Sequence, residues 1–310
     1  MNCFEHFEQH RSLLFSIAYR MLGSAIDAED MVQETFLRCQ QACATTVQSP
    51  KTYLSTIVTR LCIDHLRSAR IRREQYVGPW LPEPLIAEQS PNPMAHAELA
   101  ESLSFAFLTL LECLSPTERA IFLLREVFDY DYADIALIVH KSIPHCRQIV
   151  RRARKHLILR RPSISVSLKH KEELVEQFIA NWTQGNMRDL VALMAEDVTF
   201  WSDGGGQVVA ARKPLHGHLK IARFLIAIRQ NKRLPRLTSQ FVQINSQPGI
   251  VNYVDNHLHS TFSFEFVDGH IQSIFAVVNP EKLKASKYHC PSSNLRLHSS
   301  NSLTRSSKVR

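Results

Sequence analysis

Residues 131–157 read DYADIALIVHKSIPHCRQIVRRARKHL, and two helices of unequal character follow from them. Asp131 caps a first helix that carries Ile135, Ala136 and Val139 on one face. The small Ala136 lets a second helix approach closely. His140-Lys141-Ser142 makes the turn. The second helix directs Ile143, Cys146, Ile149, Val150, Ala153 and Leu157 inward at steps of three and four. Arg147, Gln148, Arg151, Arg152, Arg154 and Lys155 stay largely outside. This is the pattern of a helix-turn-helix: an apolar seam for docking, early side chains (His145, Arg147, Gln148, Arg151, Arg152) for base edges, and flanking cations for phosphates. The plain alternative is a solvated basic helix, or one that faces RNA or an acidic protein.

The charge distribution agrees with an anionic contact at this place. The chain carries a net charge of +8, yet residues 1–161 hold 19 basic and 18 acidic side chains. Against that neutral background, Lys141–Arg161 contains eight Lys or Arg and no acid. The 310 residues are 45% apolar and 21% charged, which is globular rather than disordered and is long enough for two or three domains. No stretch approaches the ~18–20 uncharged apolar residues that cross a bilayer. Met1–His10 carries two glutamates and two histidines, unlike a secretory leader. Seven scattered cysteines without a C-x-x-C pair argue against a disulfide framework or structural zinc and for a reducing cytoplasm.

Upstream of the helix-turn-helix, Ser115-Pro116-Thr117-Glu118 is a capping box with proline at the first helical position. Five of the fourteen prolines (79, 82, 84, 91, 93) fall in one short connector, which forbids helix and favours an extended chain. Before it, three amphipathic segments bury Leu14 and Ile17, then Ala28, Val32 and Phe36, then Leu54, Ile57 and Leu61. After Pro162 the pattern changes to one helix, Lys171–Gln184, a second near Ile221–Ile228, and β-rich segments. These strands, expected to run antiparallel, are Asp197–Trp201, Gln240–Asn245, Ile250–Tyr253, His259–Phe266 and Ile271–Val278, with Asp268-Gly269 as a hairpin turn. The expected division is therefore 1–75 all-α, 76–97 linker, 98–161 all-α, 162–285 α+β, and 286–310 a disordered basic tail.

Asp27-Ala28-Glu29-Asp30-Met31-Val32-Gln33-Glu34-Thr35-Phe36 resembles the polymerase-binding segment of sigma-70 family initiation factors. Ile17–Gly23 resembles the opening helix of domain 2 in the extracytoplasmic-function group. Tyr53–Arg67 is similar to its promoter-melting and minus-10 segment, and Leu114–Arg119 with the helix-turn-helix is similar to domain 4. Four such motifs in the correct order are highly specific. The resemblance implies that Asp30, Gln33 and Glu34 dock on core RNA polymerase, that Tyr53, Arg60, Arg67 and Arg70 meet the minus-10 element, and that the basic helix reads minus-35 in promoter DNA. Arg60 departs from the Asn of many relatives. By residue type alone, acids in a first helical turn complement the helix dipole, Tyr53 suits a core as well as a stacking face, and Asp64 can pair with Arg60 or Arg67.

The third unit resembles the SnoaL-like cone fold. Trp80-Leu81-Pro82-Glu83-Pro84, Ser202-Asp203-Gly204-Gly205-Gly206 and Asn279-Pro280-Glu281-Lys282-Leu283 resemble the signatures of sigma factors with a fused SnoaL-like extension, the SigJ-like group. In that group the extension is taken to regulate the sigma portion in cis and to contribute to activity. Gln207 stands where the group usually has Lys, and Glu281 where Asp is commoner. The resemblance makes Trp80, Leu81, Pro82, Asp203, Gly204, Gly205, Gly206, Asn279 and Pro280 candidates for interdomain contact. The glycine triplet also suits a sharp turn, and Trp80 a mere spacer. Without a following helix and Lys-Ser/Thr it is not a P-loop.

A small ligand in the cone is compatible with this fold, as is acid–base chemistry from Asp203, Asp255, His216, His218, His257 or His259. No convincing catalytic pair emerges, and a strand His pair is usually structural rather than half a metal site. The expectation is a non-enzymatic initiation factor without metal, cofactor or membrane contact. The alternative is a ligand-responsive DNA-binding regulator working without polymerase, which would leave the Asp30/Gln33/Glu34 face without a task.

Overall fold

The structure, a computed structural model, describes residues 3–41, 49–74, 76–87, 103–158, 166–231 and 237–284; the side chains of 3–4, 69–74, 87 and 156–158 are not among the described parts. The later linker prolines Pro91 and Pro93, the tail 286–310 and the Leu157 side chain therefore lie outside the described residues.

Helices α1 (Cys3–Leu22), α2 (Ala25–Gln41) and α3 (Pro50–Glu74) pack on one another. Gly23 ends α1 in the left-handed conformation, at φ 68°, and Ser24 accepts from the Asp27 amide to start α2. After the linker come α4 (Phe105–Leu111), α5 (Pro116–Glu126), α6 (Tyr132–Val139) and α7 (Ile143–Ile158). The Ser115/Glu118 capping box forms in full, and Asp131 accepts from the Asp134 amide. His140 closes α6 at φ 52°, giving the tight turn of the helix-turn-helix.

The two helical halves share one core. It runs without interruption from Phe7, Leu14 and Met21 through Leu54 and Val58 to Leu124, Ile135, Cys146 and Val150. Polar contacts bind the same seam. Arg119, buried, donates to the Met21 carbonyl at 2.7 Å, and the Ser55 and Tyr130 hydroxyls lie 2.6 Å apart.

The last unit contains α8 (Leu168–Gln184), α9 (Met187–Ala192), β2 (Met194–Asp203), β3 (Leu215–His216), α10 (His218–Arg229), β4 (Leu237–Ile244), β5 (Gln247–Val254), β6 (His257–Val267), β7 (His270–Val277) and α11 (Pro280–Lys284). Strand β1 (Ile86–Ala87) comes from the linker and joins the same sheet, in the order β1-β4-β5-β6-β7-β2-β3. The expected all-antiparallel run needs one correction, because β2 pairs with β7 in parallel. One helix and four strands separate β2 from β7, so the chain can return in the same direction. Asn245-Ser246, Asp255-Asn256 and Asp268-Gly269 all have positive φ, as two-residue hairpins require.

On its inner face the cone is filled by aromatic side chains. Phe178, Trp182, Phe200, Phe262 and Phe264 are buried there, and the Trp182 indole donates to the Leu225 carbonyl at 2.7 Å. The other face holds Val251, Tyr253, Phe275 and Val277 against Leu81, Phe105 and Leu283. Cys39 is disulfide-bonded, whereas Cys62, Cys113 and Cys146 are free. Among the described residues no helix is long and apolar enough to cross a membrane, and no His/Cys/Asp/Glu group could hold a metal.

Trp182→Ala should cost ~3–5 kcal/mol by emptying the centre of the cone. Urea unfolding followed by circular dichroism measures that loss.

Candidate functional site

The linker between the helical halves is held along its described length. Asp203 ends β2 fully buried and takes four donors. Its Oδ2 accepts from Lys282 Nζ at 2.7 Å and from the Leu81 amide at 2.8 Å. Its Oδ1 accepts from the Tyr76 hydroxyl at 2.5 Å and from the Gly205 amide at 3.0 Å. Lys282 also donates to the Leu81 carbonyl. A buried carboxylate and ammonium are tolerable because every lone pair and proton finds a partner. Burial, followed by the hydrogen bond to Asp203, pushes the Tyr76 phenol above its usual range, so it remains a donor.

Trp80 lies between two units. Its ring packs on Gly23, where an added Cβ would stand 2.6 Å from the ring edge. The Lys282 ammonium lies 4.1 Å from a Trp80 ring centroid, a cation–π contact. Gly205 and Gly206 have φ of 61° and 73°, and an added Cβ on Gly205 would meet the Asn279 side chain at 2.3 Å. The turn is sharp, and it brings Gly205 against Asn279 of the same unit and Gly206 against Val77 of the linker. Asn279 donates to the Tyr76 hydroxyl at 3.0 Å and accepts from the Glu281 amide at 3.0 Å, which starts α11 with Pro280 in its first turn. The structure therefore brings together Trp80, Leu81, Pro82, Asp203, Gly204, Gly205, Gly206, Asn279 and Pro280. Gln207 is exposed.

Sequence reasoning left the linker's second half and its partners unassigned. The buried Glu83 carboxylate accepts from the Ser24 hydroxyl at 2.9 Å and the Ala25 amide at 2.6 Å, capping α2 from outside its own chain segment. Burial holds that carboxyl above its usual range, while these donors partly offset the shift. The Glu83 carbonyl accepts from Tyr19 at 2.6 Å. Asn245, at the β4–β5 turn, accepts from the Leu85 amide at 2.8 Å and donates to Tyr19 at 2.7 Å and to the Leu103 carbonyl at 2.9 Å. Ile86 and Ala87 then pair with Ile244 and Gln243 as an added edge strand. Glu83 and Lys282 lie inside quoted motifs, so a signal for them existed. Tyr19 likewise lies inside the quoted Ile17–Gly23 segment, and for Asn245 the sequence offers only a turn-forming Asn-Ser pair.

The other candidate residues lie in three places. Asp30 and Gln33 are exposed on α2, with Glu34 bonded to Arg38 at 2.8 Å and Glu29 to Arg11 at 2.6 Å. On α3, Asp64 pairs with Arg67 at 3.3 Å and not with Arg60. Tyr53 is half-buried against the shared core, and the Arg70 side chain is outside the described parts. The Arg60 guanidinium donates to the carbonyls of Leu137 and Ile138 in the last turn of α6, both at 2.9 Å. On α7, His145, Arg147, Gln148, Arg151 and Arg152 are exposed. Arg152 approaches Glu118 at 3.7 Å, Arg154 holds Glu126 at 2.8 Å, and Arg147 lies over the Tyr132 ring.

Two all-α domains, the second with a helix-turn-helix, followed by a SnoaL-like α+β cone define the class: a sigma-70-type transcription initiation factor. A sequence model of sigma-70 region 2 matches residues 6–72, and one of sigma-70 region 4 matches residues 104–157. The chain is 33% identical over 292 residues to the ECF RNA polymerase sigma factor SigJ of Mycobacterium tuberculosis, covering 90% of this chain and 93% of that one. It is 29% identical over 152 residues to the ferric citrate uptake sigma factor FecI of Escherichia coli, covering 48% of this chain and 85% of that one. The crystal structure of Mycobacterium tuberculosis SigJ superposes with a TM-score of 0.73 at 30% identity, covering 92% of this chain and 98% of that one. The chain belongs to the extracytoplasmic-function family of RNA polymerase sigma factors. It is an initiation factor rather than an enzyme, and core RNA polymerase and promoter DNA are the partners that family membership carries.

Lys282→Met should destabilise the protein by ~3–5 kcal/mol, because Asp203 is left as an unpaired buried charge. Adding Asp203→Asn should restore part of the loss, and thermal unfolding of the single and double variants reads the difference.

Proposed function

We propose that the cone regulates this sigma factor in cis by gripping the linker and so holding the two helical halves against each other. The observation that carries this is Arg60. The resemblance assigns it to the minus-10 element, yet its guanidinium caps the orphan carbonyls at the end of α6, in the minus-35 half. One guanidinium cannot serve α6 and promoter DNA together. Meanwhile Asp30 and Gln33 are exposed on α2, and the basic face of α7 is exposed as well. The factor would thus meet core polymerase in a closed form and separate its halves on the enzyme, in the cytoplasm where both partners are found.

In this reading Asp30, Gln33 and Glu34 dock on the polymerase core, Tyr53, Arg60, Arg67 and Arg70 meet the minus-10 element, and His145, Arg147, Gln148, Arg151 and Arg152 read minus-35. Trp80, Leu81, Pro82, Asp203, Gly204 to Gly206, Asn279 and Pro280 form the regulatory contact, and the boundaries 1–75, 76–97, 98–161, 162–285 and 286–310 separate the working parts. A small ligand in the cone has less support, since aromatic side chains fill the cone's inner face.

A photo-reactive benzoylphenylalanine at the exposed Leu137 tests the closed form. Cross-linking to α3 is expected in the free protein and should be lost on adding core polymerase. Retention of the cross-link in the holoenzyme would overturn the proposal. Charge reversal at Asp30 and Glu34 should abolish core binding with the fold intact, as a pull-down on core polymerase reads. Arg151→Ala should weaken minus-35-dependent binding by ~1–3 kcal/mol if it meets a base, or lower the salt slope by about one if it meets only phosphate.

A further inference from the structure

The segment Gly204–Val254 contains no Asp or Glu and eight Lys or Arg. Part of this excess is exposed within a dozen residues of chain, on the β2–β3 loop and the start of α10. Arg212 and Lys213 are exposed in the loop between β2 and β3, His216 is exposed on β3, and Lys220 and Arg223 are exposed on α10. None of these four Lys or Arg takes part in an ion pair among the described residues, whereas Arg152 and Arg154 on α7 are each matched by a glutamate. The acids nearest by strand pairing are Glu196 and Asp197, early in β2. Asp197 is occupied by Gln272 at 3.0 Å, and Glu196 is exposed.

The position of this surface decides what it serves. Helix α3 carries Arg67, Arg70, Arg72 and Arg73 in its last turns and ends at Glu74. The chain then passes directly onto the cone loop. Tyr76 bonds Asp203, an added Cβ on Gly206 would stand 3.1 Å from Val77, and one on Gly78 would stand 3.8 Å from the Arg212 backbone. The basic end of α3 is therefore joined, within four residues, to the loop that bears Arg212 and Lys213. A nucleic-acid strand followed along α3 leaves that helix towards exposed cations that have no ion-pair partner among the described residues. Phosphate attraction of this kind needs no base contact and no groove, only exposed cations in register with a backbone.

We infer that Arg212, Lys213, Lys220 and Arg223 form a third DNA-contacting surface, on the cone, which holds the sugar-phosphate backbone of promoter DNA beyond the end of α3. The inference rests on the sigma-factor reading of α3 given above. The cone then has two tasks on two faces: its latch grips the linker, and its basic loop and helix supply sequence-independent phosphate contacts once the holoenzyme is on DNA. The contacts add affinity uniformly over promoters and leave base choice to α3 and α7.

The test is the salt dependence of holoenzyme binding to a fluorescein-labelled forked DNA of mixed sequence, duplex on one arm and single-stranded on the other. The full-length protein, the Arg212→Ala/Lys213→Ala/Lys220→Ala/Arg223→Ala variant and the charge-keeping Arg212→Lys/Lys213→Arg/Lys220→Arg/Arg223→Lys variant are compared by anisotropy. Each neutralised phosphate contributes ~0.7–0.9 to the slope of log affinity against log salt. The alanine variant should lose about three from that slope and bind at least ~10-fold more weakly at low salt, while the charge-keeping variant matches wild type. An unchanged slope in the alanine variant overturns the inference while leaving the sigma-factor reading in place. Loss of core-polymerase binding by that variant, measured separately by pull-down, would assign the surface to a protein partner and also overturn it. Failure of the wild-type holoenzyme to bind forked DNA would instead strike the reading of α3 itself, and the inference with it.

Discussion

A carboxylate with no exposed surface, Asp203, organises the contact between the cone and everything before it. An isolated charge in that position would be costly, so the site exists only if donors converge on it from elsewhere. They come from the linker (Tyr76, Leu81), from the turn that follows β2 (Gly205) and from α11 (Lys282). Three segments far apart in sequence are thus tied to one group. Trp80 adds apolar area to the same point, with Lys282 on its face and Gly23 beneath it. Since Gly23 ends α1, Trp80 ties the linker to the first helical domain, which the cone also reaches directly through the hydrogen bond from Asn245 to Tyr19. The linker prolines restrict the unbound chain, so less entropy is lost when this segment is fixed.

The second half of the linker is held by backbone chemistry. Glu83 supplies the acceptor that the start of α2 lacks, and its carbonyl and that of Leu103 find donors in Tyr19 and Asn245. Strand β1 then satisfies its own polar groups on the open edge of β4. Arg60 applies the same logic between the helical halves. The last carbonyls of α6 would otherwise be without donors, and a side chain from α3 provides them. Each of these contacts substitutes one domain's side chain for a cap or an edge that another domain left open. The closed arrangement therefore follows from unsatisfied backbone groups as much as from the shared apolar core.

Much of this was legible in the sequence, for reasons that can be named. The helix-turn-helix, the capping box at Ser115/Glu118 and the Asp268-Gly269 turn depend on residues within a few positions of one another, where periodicity and side-chain type suffice. The three linker and cone motifs were legible as a set, although nothing in them states that Asp203 meets Lys282. Two things were hidden because they are nonlocal. The parallel β2–β7 pair depends on where the chain returns after four intervening strands. The capture of Arg60 depends on two domains packing together, which no helical period records. Asn245 was hidden for a third reason: its value lies in its αL turn position, at φ 53°, from which one short amide reaches Leu85, Tyr19 and Leu103.

The energetics of the contact favour one that can come apart. Buried ion pairs such as Asp203–Lys282 contribute little net stability compared with apolar residues of the same volume, because desolvation offsets their attraction. Between α4 and the outer sheet face, the Ser263 hydroxyl lies opposite Phe275, on the face that Phe105 covers, and Thr261 shares that face beside Val277. Both hydroxyls are buried without a hydrogen-bond partner, as is that of Thr109 on α4. Each such group costs ~1–3 kcal/mol when closed and regains water when the surfaces part. A permanent interface would bury aliphatic side chains at these positions. If opening exposes these hydroxyls to water, the closed form gives up less free energy on opening, which suits a cis-acting restraint that core polymerase releases by binding.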